Sequence, residues 1–260
     1  HREYRGGWGP RFERSPHTRR AREHRENRGE WGRRFTVRPI PLGAHRRPMT
    51  ERSDPADLLR LYGLRPELTA LAAEHGATLG RVRTVYGIAW EVVTAERVLR
   101  ASFDVRSRAR REEDHRLRPA VGDWVLLSRD EATIERVLPR ASLLSRKAAG
   151  KGDVAQVIAA NVDVLAVVTS LDADLSERRI ERYVLMAREG GVRPAVVCSK
   201  SDACVGEARE AMLARLATVC DGVQVVVTSA RSGEGLEALR ALASNGVTLA
   251  LAGSSGVGKS

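Results

Sequence analysis

The chain has 260 residues, 42% of them apolar, and a formal charge of +11. That length and apolar content allow one large or two modest cores and exclude a wholly disordered polymer, and no run of about 18 apolar residues is present to span a bilayer. Three cysteines at the uneven positions 198, 204 and 220 fit neither a disulfide framework nor a paired zinc motif, so they are expected as reduced core thiols of a cytoplasmic protein.

Residues 1–48 carry fourteen Arg, no Lys and five Glu, a charge of +9 that leaves +2 for residues 49–260. Aliphatic residues are sparse there and no helical or strand period is present, so a disordered Arg-rich tail is expected. Two readings of it stand. It is a nonspecific RNA-binding arm, or it is upstream sequence read in from a mis-assigned start, the protein proper beginning at Met49. Forty of the 44 basic residues are Arg, the usage of a GC-rich genome, in which upstream sequence reads readily as Arg, Gly and Pro.

Residues 49–77 form a helical lead-in. Ser53, Asp54 and Pro55 supply an N-cap and a first-turn proline for a helix through Leu61, which Gly63 stops. Residues 78–140 then hold five β-rich runs separated by turn signals: GRVRTVYG, AWEVVTA, RVLRASF, VGDWVLLSR and ATIERVLPR. They predict a small barrel or sandwich. Between the third and fourth runs, DVRSRARREEDHRLRP has six Arg and four acids; it is a solvated loop or a phosphate-contacting one, Arg106 to Arg118 being the candidates.

Residues 141–160 mix small and basic residues and are expected to be a linker. From 161 to 260 the pattern alternates strictly. VDVLAVVTS, RPAVVCS, VQVVVTS and VTLALAG read as buried strands; SERRIERYVLMAREGG, ACVGEAREAMLARLATVC and GEGLEALRALASNG read as the helices between them, Ser176 capping the first and Gly190 stopping it. Four continuous apolar strands joined by helices predict a parallel sheet covered on both faces.

The last strand runs into GSSGVGKS, Gly253 to Ser260, which matches the phosphate-loop pattern GxxxxGK[ST]. Glycine at 253, 256 and 258 lets successive backbone amides of Gly253, Ser254, Ser255, Gly256, Val257 and Gly258 face phosphate oxygens. Lys259 would bridge the β and γ phosphates and Ser260 would hold Mg²⁺. SKSD, Ser199 to Asp202, and TSA, Thr228 to Ala230, stand at the ends of two other strands, where ligands of open α/β sheets collect. An Asp202 carboxylate accepts from guanine N1 and N2, donors that adenine lacks, so a GTP or GDP site is expected. The Lys200 stem would lie over the base, Ser201 and Ser229 would line it, and the Ala230 amide would bond guanine O6. An ATPase or kinase reading leaves SKSD and TSA unexplained.

In common GTPases the phosphate loop precedes the base-recognition element; here it follows, a circular permutation. That order, with VGDWV, VLPRASLLSRKAAGKG, VIAANVD, SKSD, TSARSGEGL and GSSGVGKS, resembles the ribosome small subunit-dependent GTPase A family from about residue 78 to 260. The resemblance implies an α/β P-loop GTPase, circularly permuted and incomplete, preceded by an all-β OB-fold barrel. It implies a monomer acting in late maturation of the 30S subunit, with 16S rRNA as partner, no membrane, and GTP/GDP with Mg²⁺ bound; the alternative is an rRNA-binding regulator that responds to nucleotide without turnover. The family's switch residues and a zinc-binding carboxyl-terminal domain would lie beyond Ser260. The chain is therefore expected to be a nearly inactive fragment with no catalytic residue of its own. One departure stands inside the site: Ser199 replaces the usual Asn, whose amide ties neighbouring loops, and the shorter side chain is expected to loosen nucleotide affinity without changing base choice.

Overall fold

The computed structural model describes residues 35–37, 55–102, 118–147, 155–171, 175–244 and 246–259. Most of the Arg-rich stretch, the Ser53 cap, residues 103–117 of the basic loop and Ser260 lie outside the described residues.

Phe35–Val37 forms strand β1, antiparallel to Ala250, Leu251 and Ala252. These three residues correct the expectation of a tail without structure through residue 48. An aromatic and β-branched run suits an extended backbone, and a sheet edge offers it unpaired amides and carbonyls. Helices α1 (Pro55–Leu61) and α2 (Pro66–Glu74) follow, each opening on a proline, whose missing N–H would have had no intrahelical acceptor there. Between them Gly63 turns the chain at φ 79° and lies so close to Gly246 that an added Cβ would stand 2.5 Å from its carbonyl oxygen.

Strands β2 (Thr78–Tyr86), β3 (Ala89–Thr94), β4 (Val98–Ala101), β5 (Trp124–Leu127) and β6 (Ile134–Val137) form an antiparallel sheet in the order β4-β3-β2-β5-β6. A parallel bridge between Ser102 and Thr133 joins its two edges, so the sheet closes as a five-stranded OB-fold barrel. The period of two sorts the side chains. Val125 and Leu127 enter the barrel with Val82, Trp90, Val92 and Ile134, while Trp124 and Leu126 face outward under Leu59, Leu68 and Ala72 of the two helices and Tyr62 of the turn between them. Covering both faces is why WVLL is apolar at every position rather than alternating.

The stretch 141–160, expected to be a linker, contains two strands among its described residues. Strands β7 (Leu143–Lys147) and β8 (Ala155–Ala160) pair antiparallel, and Leu144 and Ala159 are buried in one core with Leu165 and Tyr183.

The remaining elements are β9 (Val164–Ser170), α3 (Glu177–Glu189), β10 (Arg193–Ser199), a 3-10 turn at Ser201–Ala203, α4 (Gly206–Val219), β11 (Gln224–Val227), α5 (Leu236–Ala241) and β12 (Leu249–Gly253). The sheet order is β1-β12-β9-β10-β11, with β12, β9, β10 and β11 mutually parallel. Leu165 and Val167 pack on one face with Ile180 and Leu216, and Val164, Ala166 and Val168 on the other with Leu242 and Val257. Helix α3 begins after Ser176 and ends at Gly190, as its sequence predicts, although the Ser176 side chain makes no capping bond.

Candidate nucleotide site

The last strand in the sequence, β12, lies beside the first of the parallel set, β9, which is next to β10 and then β11. Because all four run the same way, the loops after β12, β10 and β11 open on one edge of the sheet, where α/β folds collect ligands. The expected phosphate loop, SKSD and TSA are these loops.

Gly253 ends β12 where an added Cβ would stand 2.2 Å from the Val168 carbonyl oxygen of β9, so only glycine lets the strand come this close. Gly256 and Gly258 adopt φ 82° and 87°, the left-handed region that curls a loop without side-chain obstruction. Val257 between them is buried against Val164 and Ala166 and anchors the loop to the core. The Lys259 ammonium donates to the Ser254 carbonyl across the loop. Half-buried Ser254 leads into an exposed turn at Ser255 and Gly256.

Ser199, at the end of β10, donates its hydroxyl to the Val257 carbonyl at 2.6 Å, with the Thr169 carbonyl of β9 at 3.2 Å. The loops that the usual Asn would tie are therefore tied here as well. A hydroxyl has one hydrogen, whereas an amide has two, so Ser199 makes one strong bond and shares the remainder. Lys200 follows at φ 57°, an uncommon conformation for a residue with a side chain, and turns the chain so that Ser201 is buried and Asp202 stands exposed.

The Ser229 hydroxyl, itself buried, donates to Asp202 Oδ1 at 2.5 Å and accepts from the amides of Arg231 and Ser232. That hydroxyl bond holds the Asp202 carboxyl below the usual carboxylate range, so it is ionised and acceptor-only at neutral pH. Among the described residues the exposed Ala230 amide has no hydrogen-bond acceptor, which leaves it a free donor beside the carboxylate.

A residue that sequence reasoning did not single out joins the two loops. Glu234 accepts from the Ser201 hydroxyl at 2.6 Å and from Arg209 at 2.5 Å, and the Arg209 guanidinium, then Ser201, hold its carboxyl low. Its position within SARSGEGL was the available signal, but its partners are 33 and 25 residues away.

These residues fit a guanine nucleotide. The glycine loop and Lys259 suit a phosphate chain, and Asp202 with the Ala230 amide presents an acceptor beside a donor. Among the described residues no cluster of three or more His, Cys, Asp or Glu exists to hold a metal, and Cys198, Cys204 and Cys220 are buried free thiols, with burial pushing Cys198 up to about 12.

Comparison with known proteins agrees with this geometry. Residues 137–260 match the profile of the family described as RsgA GTPase. Small ribosomal subunit biogenesis GTPase RsgA 2 of Lactiplantibacillus plantarum is 37% identical over 76% of this chain and 56% of its own length. The RsgA of Syntrophotalea carbinolica is 41% identical over 55% of this chain and 41% of its own. The chain thus spans about half the length of the curated relatives it matches. The crystal structure of YjeQ from Thermotoga maritima superposes with a TM-score of 0.55 at 25% identity, covering 70% of this chain and 62% of that one. The RsgA-like α/β domain is a circularly permuted P-loop GTPase fold, preceded by the OB-fold barrel.

Proposed function

We propose that this chain is part of a cytoplasmic, monomeric GTPase that binds and hydrolyses GTP during late maturation of the 30S ribosomal subunit, with 16S rRNA as its contact. The carrying observation is the convergence of three loops on one sheet edge, locked together by the Ser199–Val257, Asp202–Ser229 and Ser201–Glu234 hydrogen bonds. The names of the relatives supply the ribosomal setting.

In this reading the amides of Gly253 to Gly258 bind the α and β phosphates, and Lys259 leaves the Ser254 carbonyl to reach the β and γ phosphates. Lys200 covers the base and Ser201 supports its loop from beneath. Asp202 accepts from guanine N1 and N2 and the Ala230 amide donates to O6; Ser229 holds Asp202 in place for this. Adenine would leave that carboxylate opposite no donor, which is the physical source of base choice. Bound Mg²⁺ would draw charge from the phosphate oxygens, and Ser260, outside the described residues, is the hydroxyl we assign to it. Zinc is assigned to a carboxyl-terminal domain of the longer protein and to no residue of this chain.

The barrel is the rRNA-facing module. Its β2–β3 hairpin exposes Val85, Tyr86 and Ile88, with the Arg100 guanidinium 5.3 Å from the Tyr86 ring centroid, so an aromatic face and cations stand together, the combination that stacks on bases and meets phosphates. The basic loop Arg106 to Arg118 is the second contact; all but Arg118 lie outside the described residues.

Pelleting with purified 30S subunits tests the assignment. The full-length protein is expected to sediment with 30S in a GTP-dependent manner, with removal of residues 1–48 changing little at physiological salt. Replacing the six loop arginines should weaken it. Equal sedimentation with GTP, ATP or no nucleotide would overturn the reading.

A further inference from the structure

Apart from the nucleotide loops, a cleft of about 380 Å³ lies where the barrel, the segment between α1 and α2, and the start of the α/β domain meet. Its polar lining includes Arg65, Arg81, Arg193 and one carboxylate, Asp163. Arg81, on β2, is 2% exposed and lies with its guanidinium carbon 5.1 Å from the Trp124 ring centroid. It donates from Nε to the Gly122 carbonyl, and from Nη2 to the Asn161 carbonyl and the Thr248 hydroxyl.

Those three bonds account for the hydrogens on Nε and Nη2, and every acceptor is neutral. Nη1 takes no part in these bonds, which leaves its two hydrogens for an acceptor in the cleft. Nη1 approaches Gly63, also in the cleft wall: a Cβ added there would stand 3.6 Å from it. A guanidinium buried without a direct carboxylate partner is costly, and burial lowers Arg81 to about 10 even with Asp163 and Asp123 nearby. Asp163 is itself engaged, accepting from the Thr248 amide at 2.7 Å. Arg65 and Arg193 are exposed at the mouth, and Arg193 donates from Nη1 to Gln224 Oε1 at 3.4 Å, a long bond to a neutral amide that an anionic acceptor can replace.

We propose that this cleft is a second binding site, distinct from the nucleotide loops, for a phosphate group that seats on Arg81 Nη1 and is held at the mouth by Arg65 and Arg193. A phosphate oxygen supplies the ionic acceptor that the buried guanidinium lacks, with the short charge-assisted geometry that arginine favours. The site takes its floor from β2 and its rim from the lead-in and from β10, so an occupant bridges the barrel and the α/β domain. Thr248, directly before β12, bonds both Arg81 and Asp163, so the cleft also adjoins the strand that carries the phosphate loop.

The test uses the 260-residue chain titrated with inorganic phosphate at constant ionic strength, followed by calorimetry and by the unfolding temperature. Phosphate is expected to bind and to raise the unfolding temperature by several degrees in the wild type and in Lys259→Ala alike, because the cleft does not use the phosphate loop. The double variant Arg65→Glu, Arg193→Glu, confined to exposed positions, should fold normally and bind phosphate roughly tenfold more weakly. Arg81→Met should remove binding altogether if it folds; the mouth variant decides the matter if it does not. A short single-stranded RNA that displaces phosphate would assign the site to backbone phosphates, and one that does not would assign it to a small phosphorylated anion; both uphold a phosphate site. Binding lost in Lys259→Ala and retained in the mouth variant, or no binding at all, would overturn it.

Discussion

The α/β domain and the barrel are both covered on two faces, yet they expose opposite kinds of surface. At the sheet edge the α/β domain presents backbone amides, small side chains and hydroxyls, and it holds them by loop-to-loop bonds such as Ser199 to Val257 and Ser229 to Asp202. The barrel hairpin instead projects large side chains, with Tyr86 50% and Ile88 56% exposed. Under the proposed function, the difference follows from what each surface would have to meet. A small charged ligand is gripped by fixed dipoles at close range, which requires glycine and tight loops. An extended partner is met by area and stacking, which requires protruding rings and cations.

Four changes test that contrast, and the largest effect is expected at the phosphate loop. Lys259→Ala should weaken GTP binding about 100-fold, the scale of a lost charge-assisted contact, with no change in unfolding temperature. A titration with a fluorescent guanine nucleotide measures it, and unchanged affinity would break the assignment of this loop. Asp202→Asn should cost GTP roughly 10- to 100-fold and shift preference to xanthine nucleotides, whose C2 oxo group accepts from the new amide. Competition between the two nucleotides reads this directly.

On the barrel, Tyr86→Ala combined with Ile88→Ala should weaken 30S association about tenfold while leaving GTP affinity unchanged. A loss of both functions would show that the two surfaces are not independent. Smallest is Ser199→Asn: with two amide hydrogens it can bond the Val257 and Thr169 carbonyls together, and GTP affinity should rise a few-fold. A fall would mean that the pocket has adapted to the shorter hydroxyl. The Asp202 carboxyl also sets a pH expectation. Its folded pKa is depressed, so its contribution is present above the ordinary carboxylate range, near 4, and is lost only as pH falls through that lower folded value. GTP affinity should therefore hold level from pH 7 to about 5 in the same titration.

Local chemistry made much of this legible in advance. The parallel strands announce themselves as uninterrupted apolar runs, α3 by its apolar period between Ser176 and Gly190, and the candidate phosphate loop by glycines at the positions where φ is positive or a backbone presses close. The order of SKSD, TSA and GSSGVGKS carried the permutation, because chain order is itself a property of sequence. These features depend on residues within one turn or one strand, so a short window contains their cause.

Other features depend on partners far away in the chain, and only the folded structure could decide them. The segment 141–160 reads as a linker until Leu144 and Ala159 are seen buried against Leu165 and Tyr183, and β1 exists because β12 offers it an edge. Glu234 became part of the site by reaching Ser201 and Arg209. Arg81 looks like an ordinary strand arginine, yet tertiary packing buries it beside Trp124 and bonds it to Thr248, 167 positions later. Periodicity determines which face of an element is apolar, but which distant polar group meets a buried donor is set by where the elements pack, and that is a property of the fold as a whole.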